Sequence, residues 1–483
     1  MKTRGSKALT FCVKLMLYVS PFILGMIGYL LAGTGLLQAL YSSIRLYVLE
    51  CDDANWNVFI EIARWTAPLA TVSGILLVLK NVAQRIKDFW LYITGRAIVI
   101  YCGEEERPIL KKNIRNSVMV SPENIYAGAK DVIIMLGDDL ENLDFYYRNE
   151  RKFENSNVYL RLEQIDSFLL KEHKIKFFNE TELIARNYWK ECNLLKYLEK
   201  DTLKVKIAII GFEQLGQKLL SFGLINNIYA KNQSVEYHIW GKNTSYENLF
   251  ANIDFMNGDS VTYHGEDWDK DIDKFEEYDR IIVTQEQNIE FLQMLLYLCD
   301  DTEIHYYSNG EALLENIFDG DKLHSFGAWD GIYTEKNIMS QELCRLGMEL
   351  NYSYSKLYTE DYDDTMSKMD AMNSLWDKLD GFTKASNLAA ADYHEIRLMI
   401  LRKQGKKEAA FTETEQEWLS KAEHIRWCRF HFVNHWVYKP LADVRSDRKK
   451  RIHTCLIPFE SMKEEDRKKD WDTILRLMKY RSL

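Results

Sequence analysis

The sequence has few of the residues that break or cross-link chains. Six prolines in 483 residues, with no low-complexity tract, leave little room for disordered linkers. The eight cysteines are scattered and contain no CxxC pair, so nothing indicates a disulfide framework or a zinc ribbon. We therefore expect most of the chain to lie in a reducing compartment.

Recognisable catalytic motifs are also missing. The sequence contains no GxSxG, no HExxH and no phosphate-binding Walker loop, so we expect no enzymatic activity. The formal charge of −10 argues against a general nucleic-acid binder, whose affinity comes mostly from neutralising phosphates. The acidic segment 360–364 (EDYDD) has ligands for a cation, but it is more typical of a solvated loop or helix start.

Two apolar stretches near the N-terminus predict a membrane hairpin. Residues 15–44 carry no charge and exceed the roughly twenty residues that cross a bilayer, and they lack a signal-peptide cleavage pattern. Residues 58–79 form the second stretch, with Glu61 and Arg64 spaced to pair on one helix face. Basic residues flank the outer ends and acidic ones the connection, which places both termini in the cytoplasm. We expect residues 1–94 to anchor the chain in the inner (cytoplasmic) membrane.

Whether this hairpin conducts ions is a separate question. Small residues suit the first helix to close packing, although a simple anchor has the same composition: Gly25, Gly28, Ala32, Gly33 and Gly35. The connection contains no TVGYG-type filter and has fewer than twenty residues, so a pore helix plus filter would hardly fit. An ion path would need several chains, with Glu61 and Arg64 as gating candidates or as snorkelling surface groups.

Beyond residue 95, short apolar strand runs alternate with helical stretches. The runs restart after residue 204 and occupy residues 97–102, 131–137, 157–163, 205–211, 235–241, 280–285 and 303–309. This alternation is typical of parallel α/β sheets. The sequence therefore predicts two tandem Rossmann-like, doubly wound domains over residues 95–198 and 199–352.

The phosphate-binding fingerprint of such domains is damaged. A strand, a glycine-rich turn and a helix N-terminus bind anions through backbone N–H groups. The second domain keeps Gly211 and Gly216, but Glu213 replaces the middle glycine and residues 240–242 (WGK) lack a ribose-binding acid. Residues 103–107 (GEEER) of the first domain depart further. We expect a retained scaffold without cofactor, with dinucleotide binding at Gly211 and Gly216 as the alternative.

A membrane segment that leads into residues 95–102 (GRAIVIYC) and two such domains resembles the regulator-of-potassium-conductance domains. These are also called potassium-transport nucleotide-binding domains. The resemblance covers residues 95–350 and is architectural. It implies assembly into dimers or rings that transmit ligand binding to a pore. Because the glycines and the ribose acid differ, oligomerisation is expected rather than NAD binding.

The sequence pattern predicts that the C-terminal residues 353–483 are mainly helical. One helix is expected to start near the cap-like Ser386–Asn387, and another after the capping residues 412–415 (TETE). In the second, Glu423 and Arg426 are three residues apart and can pair or jointly face a ligand. Histidines and tryptophans occupy a neighbouring stripe of the same helix.

Residues 422–427 (AEHIRW), 434–439 (NHWVYK) and 449–474 look like the repeat domain of ryanodine receptors, and residues 386–392 (SNLAAAD) resemble its prokaryotic form. The resemblance implies a ligand-sensing domain. Cationic donors beside indole faces suit a nucleotide-like ligand better than a metal. The candidate ligand-binding residues are Asn387, Asp392, Glu423, His424, Arg426, Trp427, Trp436, Tyr438, Lys450 and His453.

An alternative for these residues is purely structural: the aromatic side chains form a core, Glu423 and Arg426 form an internal pair, and His453 is an ordinary loop residue. Residues 353–483 are then a packing domain.

The sequence supports three functional hypotheses. The first is a membrane-anchored homo-oligomer, dimer or tetramer, that senses a nucleotide-like messenger and alters membrane permeability in prokaryotic stress or antiphage defence. The alternative is a regulatory subunit or channel-like protein of potassium transport that responds to nucleotide through its α/β domains. The third is a membrane-tethered interaction scaffold. None requires nucleic acid, a metal or a firmly assigned cofactor.

Overall fold

A computed structural model describes most of the chain. The described residues are 2–51, 57–167, 170, 175–199, 204–242, 244–250, 253–284, 289–308, 322–358, 365–406, 410–442 and 444–480. They fall into two units, residues 1–96 and 97–483. The acidic segment 360–364 lies outside the described residues, as do Asp52 and Asp53 of the predicted acidic connection.

The N-terminal unit contains three helices, α1 (Lys2–Leu31), α2 (Leu36–Arg45) and α3 (Val58–Ile93). By length and composition, α3 is the one described helix able to cross a membrane, and α1 carries a shorter apolar stretch, Tyr18–Leu31. The prediction of a continuous first span over residues 15–44 is wrong. The chain turns after Leu31, where Gly33 adopts a positive φ of 85°, and α2 follows.

Two of the small residues bring these helices together as predicted. A Cβ atom on Gly28 would lie 2.6 Å from the Ile60 side chain, and one on Gly25 would lie 3.0 Å from the Ser43 hydroxyl. Asn57 caps α3 by accepting the Ile60 N–H, and it donates to the Gly28 carbonyl at 2.7 Å. Gly28 and Gly25 therefore serve close helix packing.

The first sheet has five parallel strands in the order β2-β1-β3-β4-β5. The strands are β1 (Ile98–Cys102), β2 (Ser117–Met119), β3 (Asp131–Met135), β4 (Asn157–Arg161) and β5 (Ile175–Phe178). The helices of this region are α4 (Arg107–Asn113), α5 (Asp139–Asn149), α6 (Glu180–Glu191) and α7 (Leu195–Glu199).

The second sheet has six parallel strands in the order β11-β10-β9-β6-β7-β8. They are β6 (Lys204–Ile210), β7 (Ser234–Trp240), β8 (Ser260–Gly265), β9 (Arg280–Val283), β10 (Glu303–Tyr307) and β11 (Leu323–Phe326). The intervening helices are α8 (Gln214–Asn226), α9 (Thr244–Phe250) and α10 (Ile289–Leu298), with a 3₁₀ segment at Trp268–Glu277. Numbered from β6, this is the order of dinucleotide-binding Rossmann sheets. The prediction of two parallel α/β sheets is confirmed.

The remaining chain is mainly helical. It contains α11 (Trp329–Ile332), α12 (Glu335–Met339), α13 (Gln341–Tyr358), α14 (Lys368–Asp377), α15 (Gly381–Lys403), α16 (Glu413–Val433), α17 (Glu464–Tyr480) and an antiparallel ribbon of β12 (Ser446–Asp447) and β13 (Ile452–His453).

The capping residues of this region fix where its two central helices begin. The predicted cap of α16 is confirmed as a reciprocal capping box between Thr412 and Glu415. The helix start expected at Ser386–Asn387 is wrong, because Asp380 caps α15 and Asn387 lies inside that helix.

Arg429 of α16 fixes this helical region to the second sheet domain. Its buried guanidinium donates to the carbonyl oxygens of Phe255, Leu224 and Met256 at 2.6, 3.0 and 2.8 Å. It also forms an ion pair with the buried Asp259 carboxylate at 2.8 Å. Because the planar fork of arginine presents five fixed donors, one side chain holds four groups of the second domain.

Helix α15 carries two further buried anchors. Asp392 pairs with Arg186 at 2.5 Å and Lys190 at 2.9 Å, both from α6 of the first domain. The Tyr393 hydroxyl donates to the Ile228 carbonyl, just beyond α8, at 2.7 Å. The C-terminal helices thus contact both sheet domains through paired polar groups.

Substitution of Arg429 by Met tests the importance of this anchor. Leaving Asp259 buried without its partner should lower the free energy of unfolding of the full chain by about 3–5 kcal/mol, measured by urea titration in detergent. The exposed Arg148 pairs with Asp144 on the surface of α5, and Arg148→Ala is the matched control, expected to change stability by about 0.5 kcal/mol at most. Equal effects of the two variants would contradict the proposed anchor.

Candidate functional site

The candidate site centres on Glu423, which α16 directs into the protein interior. Its side chain is only 2% exposed. One carboxylate oxygen accepts from Arg426 Nε at 2.9 Å, and the other accepts from Arg397 Nη2 at 2.5 Å. The predicted Glu423–Arg426 pair is therefore present. Arg397 of α15 was not among the predicted residues, and it gives this buried cluster two guanidinium groups for one carboxylate.

His424 and Asp470 lie beside this pair. Asp470 of α17 approaches His424 Nδ1 at 3.6 Å, and His424 Nε2 lies 2.7 Å from the Ile457 carbonyl. Burial and the nearby Glu423 carboxylate raise the pKa of Asp470 well above its usual value, whereas burial lowers the pKa of His424. A second charged carboxylate is therefore disfavoured next to Glu423.

Three buried polar atoms of this cluster make no hydrogen bond among the described residues. They are Arg397 Nε, Arg426 Nη1 and Asp470 Oδ2. Buried polar groups are normally satisfied by protein or water, so unused polar atoms in one buried cluster mark a place for water or a ligand.

An aromatic and histidine face lies on the adjoining side of α16. The Trp427 ring centroid is 4.0 Å from that of His431 and 4.8 Å from that of His453. Trp436 stacks on Phe382 at 5.0 Å and meets His431 edge-on at 5.2 Å. His424 stacks at 6.0 Å from Trp427 and so connects this face with the Glu423 cluster.

Burial keeps the histidines of this face neutral. It lowers the pKa of His431 to about 3 and that of His453 to about 4. His453 Nδ1 accepts the N–H of Cys455, and His431 Nδ1 donates to the Trp427 carbonyl at 2.8 Å. Each ring is therefore held in one tautomer.

The structure brings together six of the ten predicted ligand-binding residues and leaves four apart. Tyr438 is half-exposed, and Lys450 forms an ion pair with Asp447 in its own turn. Asn387 donates to the Thr383 carbonyl within α15, and Asp392 is occupied by its partners on α6. The six that meet are Glu423, His424, Arg426, Trp427, Trp436 and His453.

A small cavity adjoins the cluster between α15, α16 and the end of α8. Its volume is about 40 Å³, and Arg397, Tyr393, Trp418 and Tyr229 are among its lining residues. Arg397 is 1% exposed at its side chain, and its Nε makes no hydrogen bond among the described residues. The volume suits one or two waters rather than the roughly 300 Å³ or more of a small-molecule site. A nucleotide-sized ligand requires this region to open.

The predicted glycines of the second domain serve close packing. Gly211 has a φ of +94°, and a Cβ on Gly216 would lie 2.3 Å from the Gly211 carbonyl oxygen. This close approach of helix and strand is the one that the fingerprint requires. Phe212 is buried in the turn, while Glu213 is exposed at the N-cap of α8 and makes no side-chain capping bond.

In the first domain, acidic side chains of the chain itself occupy the turn after β1 and the start of α6. The Glu106 carboxylate fills the space beside Gly103 and lies 3.5 Å from Arg161. Glu163 accepts the N–H of Glu180 at the start of α6, and burial raises the pKa of Glu163 to about 7. Carboxylates of the chain therefore lie beside the β1–α4 turn and at the N-terminus of α6, and helix N-termini are places where anions bind.

In the N-terminal unit, the pair expected between Glu61 and Arg64 forms at 3.9 Å with both side chains part-exposed. Within the described residues, no group of three or more histidine, cysteine or acidic side chains is placed to hold a metal ion.

Comparison with known proteins adds one structural likeness. No family model matches the chain, and no curated protein matches it. Among solved structures, one component of dipicolinate synthase from Bacillus halodurans aligns with 52% of this chain and 97% of its own, at 10% identity and a TM-score of 0.24. At that score the likeness adds nothing to the assignment of fold or function.

The histidine face makes a pH-dependent contribution to stability. Because the folded pKa of His431 lies below its unfolded value of about 6.5, its contribution to stability is full above that pH and is lost as the pH falls towards the folded pKa of about 3. His431→Asn keeps a donor for the Trp427 carbonyl but does not titrate. We expect the difference in unfolding free energy between wild type and variant to shrink as the pH falls from 7 to 5.

Asn434→Ala, which removes a non-titrating neighbour on the same side of the helix, is the control. Its difference from wild type should not change with pH. A parallel pH dependence for wild type and His431→Asn would show that His431 is not held neutral in the fold.

Proposed function

We propose that the chain is a membrane-anchored effector whose C-terminal helices sense a nucleotide-like messenger and whose N-terminal helices change membrane permeability. A bacterial stress or antiphage role fits the resemblance to prokaryotic ryanodine-receptor repeats. It also fits the combination with membrane helices, but only as an analogy. The resemblance to potassium-conductance regulators adds the expectation of a homo-oligomer with its soluble domains in the cytoplasm.

One observation carries the proposal. Helix α16 bears the candidate sensor residues and the anchor to the second domain within two turns, because Glu423, Arg426 and Trp427 precede Arg429 on the same helix. A ligand that moves Glu423, Arg426 and Trp427 would also change the packing of α16 against the second domain. Sensor and relay are therefore one rigid element.

The chemistry of the cluster suits an anionic, aromatic ligand. Arg397 and Arg426 supply a positive excess around Glu423, and Arg426 Nη1 is an unused donor. Trp427 offers a part-exposed indole for stacking on a base, flanked by neutral imidazoles. Phosphate oxygens would compete with Glu423 for the guanidinium groups, which gives the ligand a way to break the resting pairs.

The small cavity next to Arg397 agrees with a gated response. In the closed arrangement, the pairs around Glu423 satisfy most of the cluster and the cavity is only about 40 Å³. A messenger that binds an opened arrangement more tightly shifts the population towards it by its differential affinity alone. The closed arrangement then corresponds to the resting effector.

The observation that favours potassium-transport regulation is the retained geometry at Gly211 and Gly216. Under that rival function, NAD, ADP or ATP binds at the β6–α8 turn. Nucleotide binding to the full chain that persists in Arg426→Lys but is lost in Gly216→Val would favour it over messenger sensing by α16.

The proposal is tested by measuring, for variants of α16, the binding of ligand and the ligand-dependent leakage of dye from proteoliposomes. Thermal shift of the full chain against cyclic mononucleotides, cyclic dinucleotides and ADP-ribose identifies the ligand. Arg426→Lys loses the planar fork and should weaken that binding at least about tenfold, or about 1.4 kcal/mol. Arg429→Lys should keep binding within about threefold, a change of under 1 kcal/mol, yet abolish ligand-dependent leakage of dye from proteoliposomes.

Arg148→Ala, on the exposed face of α5, should keep both properties. The assignment of α16 as sensor and relay would be contradicted if ligand-dependent leakage were unchanged in both Arg426→Lys and Arg429→Lys.

A further inference from the structure

Two histidines meet at the outer edge of the second sheet. His238 lies on β7, and His264 lies on β8, the last strand at that edge. His238 Nδ1 and His264 Nε2 are 2.8 Å apart, and neither ring makes another hydrogen bond among the described residues. His238 is half-buried and His264 is exposed, so solvent reaches the pair.

An irregularity in β8 accompanies this contact. Ile239 pairs with Tyr263 and Trp240 pairs with Gly265, so His264 is an extra residue without a partner on β7. Such a bulge changes the direction of a side chain, and bulges are over-represented next to functional sites. The His264 ring contacts both Trp240 and His238, with centroid distances of 4.3 and 5.1 Å.

Stacking restrains both imidazole rings. The planes of His264 and Trp240 are nearly parallel, at 9° to one another. Trp240 is itself fixed, since it is 1% exposed and its Nε1 donates to the Asp271 carboxylate at 3.2 Å. His238 meets the Tyr278 ring edge-on at 5.1 Å. Each histidine therefore has an aromatic neighbour that limits its rotation.

The spacing of the two ring nitrogens is that of ligands of one metal ion. Imidazole nitrogens bind a divalent transition metal at about 2.0–2.1 Å, so two such bonds at right angles place their nitrogens about 2.8–3.0 Å apart. Right-angled ligation by nitrogen and oxygen is typical of tetragonal Cu²⁺ and Ni²⁺. Both rings would then present a lone pair to the ion. The ring that donates the present hydrogen bond would carry its proton on its other nitrogen, and no proton would be released.

The charges around the histidines allow a cation to bind. The flanking lysines are each paired with a carboxylate: Lys204 with Glu236 at 2.7 Å, Lys206 with Glu277 at 3.4 Å and Lys274 with Asp271 at 2.8 Å. Within the described residues, a dication at this edge therefore meets no excess of positive charge.

We propose that His238 and His264 together bind one divalent transition-metal ion, Ni²⁺ or Cu²⁺, at the outer edge of the second sheet. Two protein ligands leave the other coordination positions to water, in keeping with the finding that the described residues contain no three-ligand group. The ion would join β7 to the edge strand β8. This site depends on neither the membrane segment nor the messenger of the proposed function.

Calorimetric titration of the untagged full chain with Ni²⁺, in detergent and with the cysteines reduced, tests the site. His238→Asn and His264→Asn each remove one imidazole ligand and should weaken the saturable one-to-one binding at least about tenfold. His435→Asn is the matched control, because His435 is an exposed histidine beyond α16 and its φ of 64° suits asparagine. Its affinity for Ni²⁺ should equal that of the wild type.

The site would be overturned by equal Ni²⁺ affinities of the wild type and both sheet variants, by the same loss in His435→Asn, or by the absence of saturable binding. Protection from diethylpyrocarbonate gives a second measurement on the unaltered chain, with modified histidines located by peptide mass. Ni²⁺ should protect His238 and His264 but not His435. Protection of all three residues, or of none, would contradict the proposal.

Discussion

The buried guanidinium of Arg429 is the contact on which the arrangement of residues 97–483 depends. A side chain with no exposure is stable in its charged form only because Asp259 and three carbonyl groups surround it. All four partners belong to the second sheet domain, so α16 cannot move away without leaving charges unpaired in the interior. Asp392 imposes a similar constraint between α15 and the first domain. Both α/β domains are therefore in contact with the helices that carry the candidate sensor.

The same reasoning explains how a ligand would act at a distance under the proposed function. The cluster around Glu423 shares α16 with Arg429, and Arg397 joins it to α15, the helix that also holds Asp392. Disturbing one pair in such a network changes the electrostatic balance of the others, because each is desolvated. The cavity beside Arg397 is water-sized, so recognition of a larger ligand at this place would require these pairs to rearrange.

Much of the fold followed from local sequence pattern, because buried parallel strands leave a clear apolar signature. The runs that became β1, β3, β4, β6, β7, β9 and β10 have this pattern. Strand β8 has no apolar signature because none of its residues is buried. The break between α1 and α2 has no sequence signal because both sides of the turn are apolar. The three-residue spacing of Glu423 and Arg426 on one helix correctly predicted that their side chains can pair. The burial of Arg397 and Arg429 could not be predicted, because arginines in a helix usually reach solvent. The partners of both residues also lie far away in sequence. Asp392 was expected near the ligand for the same reason: nothing local reveals that α15 packs on α6.

The central claim is that ligand recognition and attachment to the second domain are coupled through α16. Hydrogen–deuterium exchange of the full chain in detergent, with and without the nucleotide that stabilises it most, measures this coupling directly. The account predicts that exchange changes together in residues 413–433 and in the segment 253–259 that holds Arg429. Protection confined to residues 413–433, with unaltered exchange in 253–259 and in α8, would contradict it.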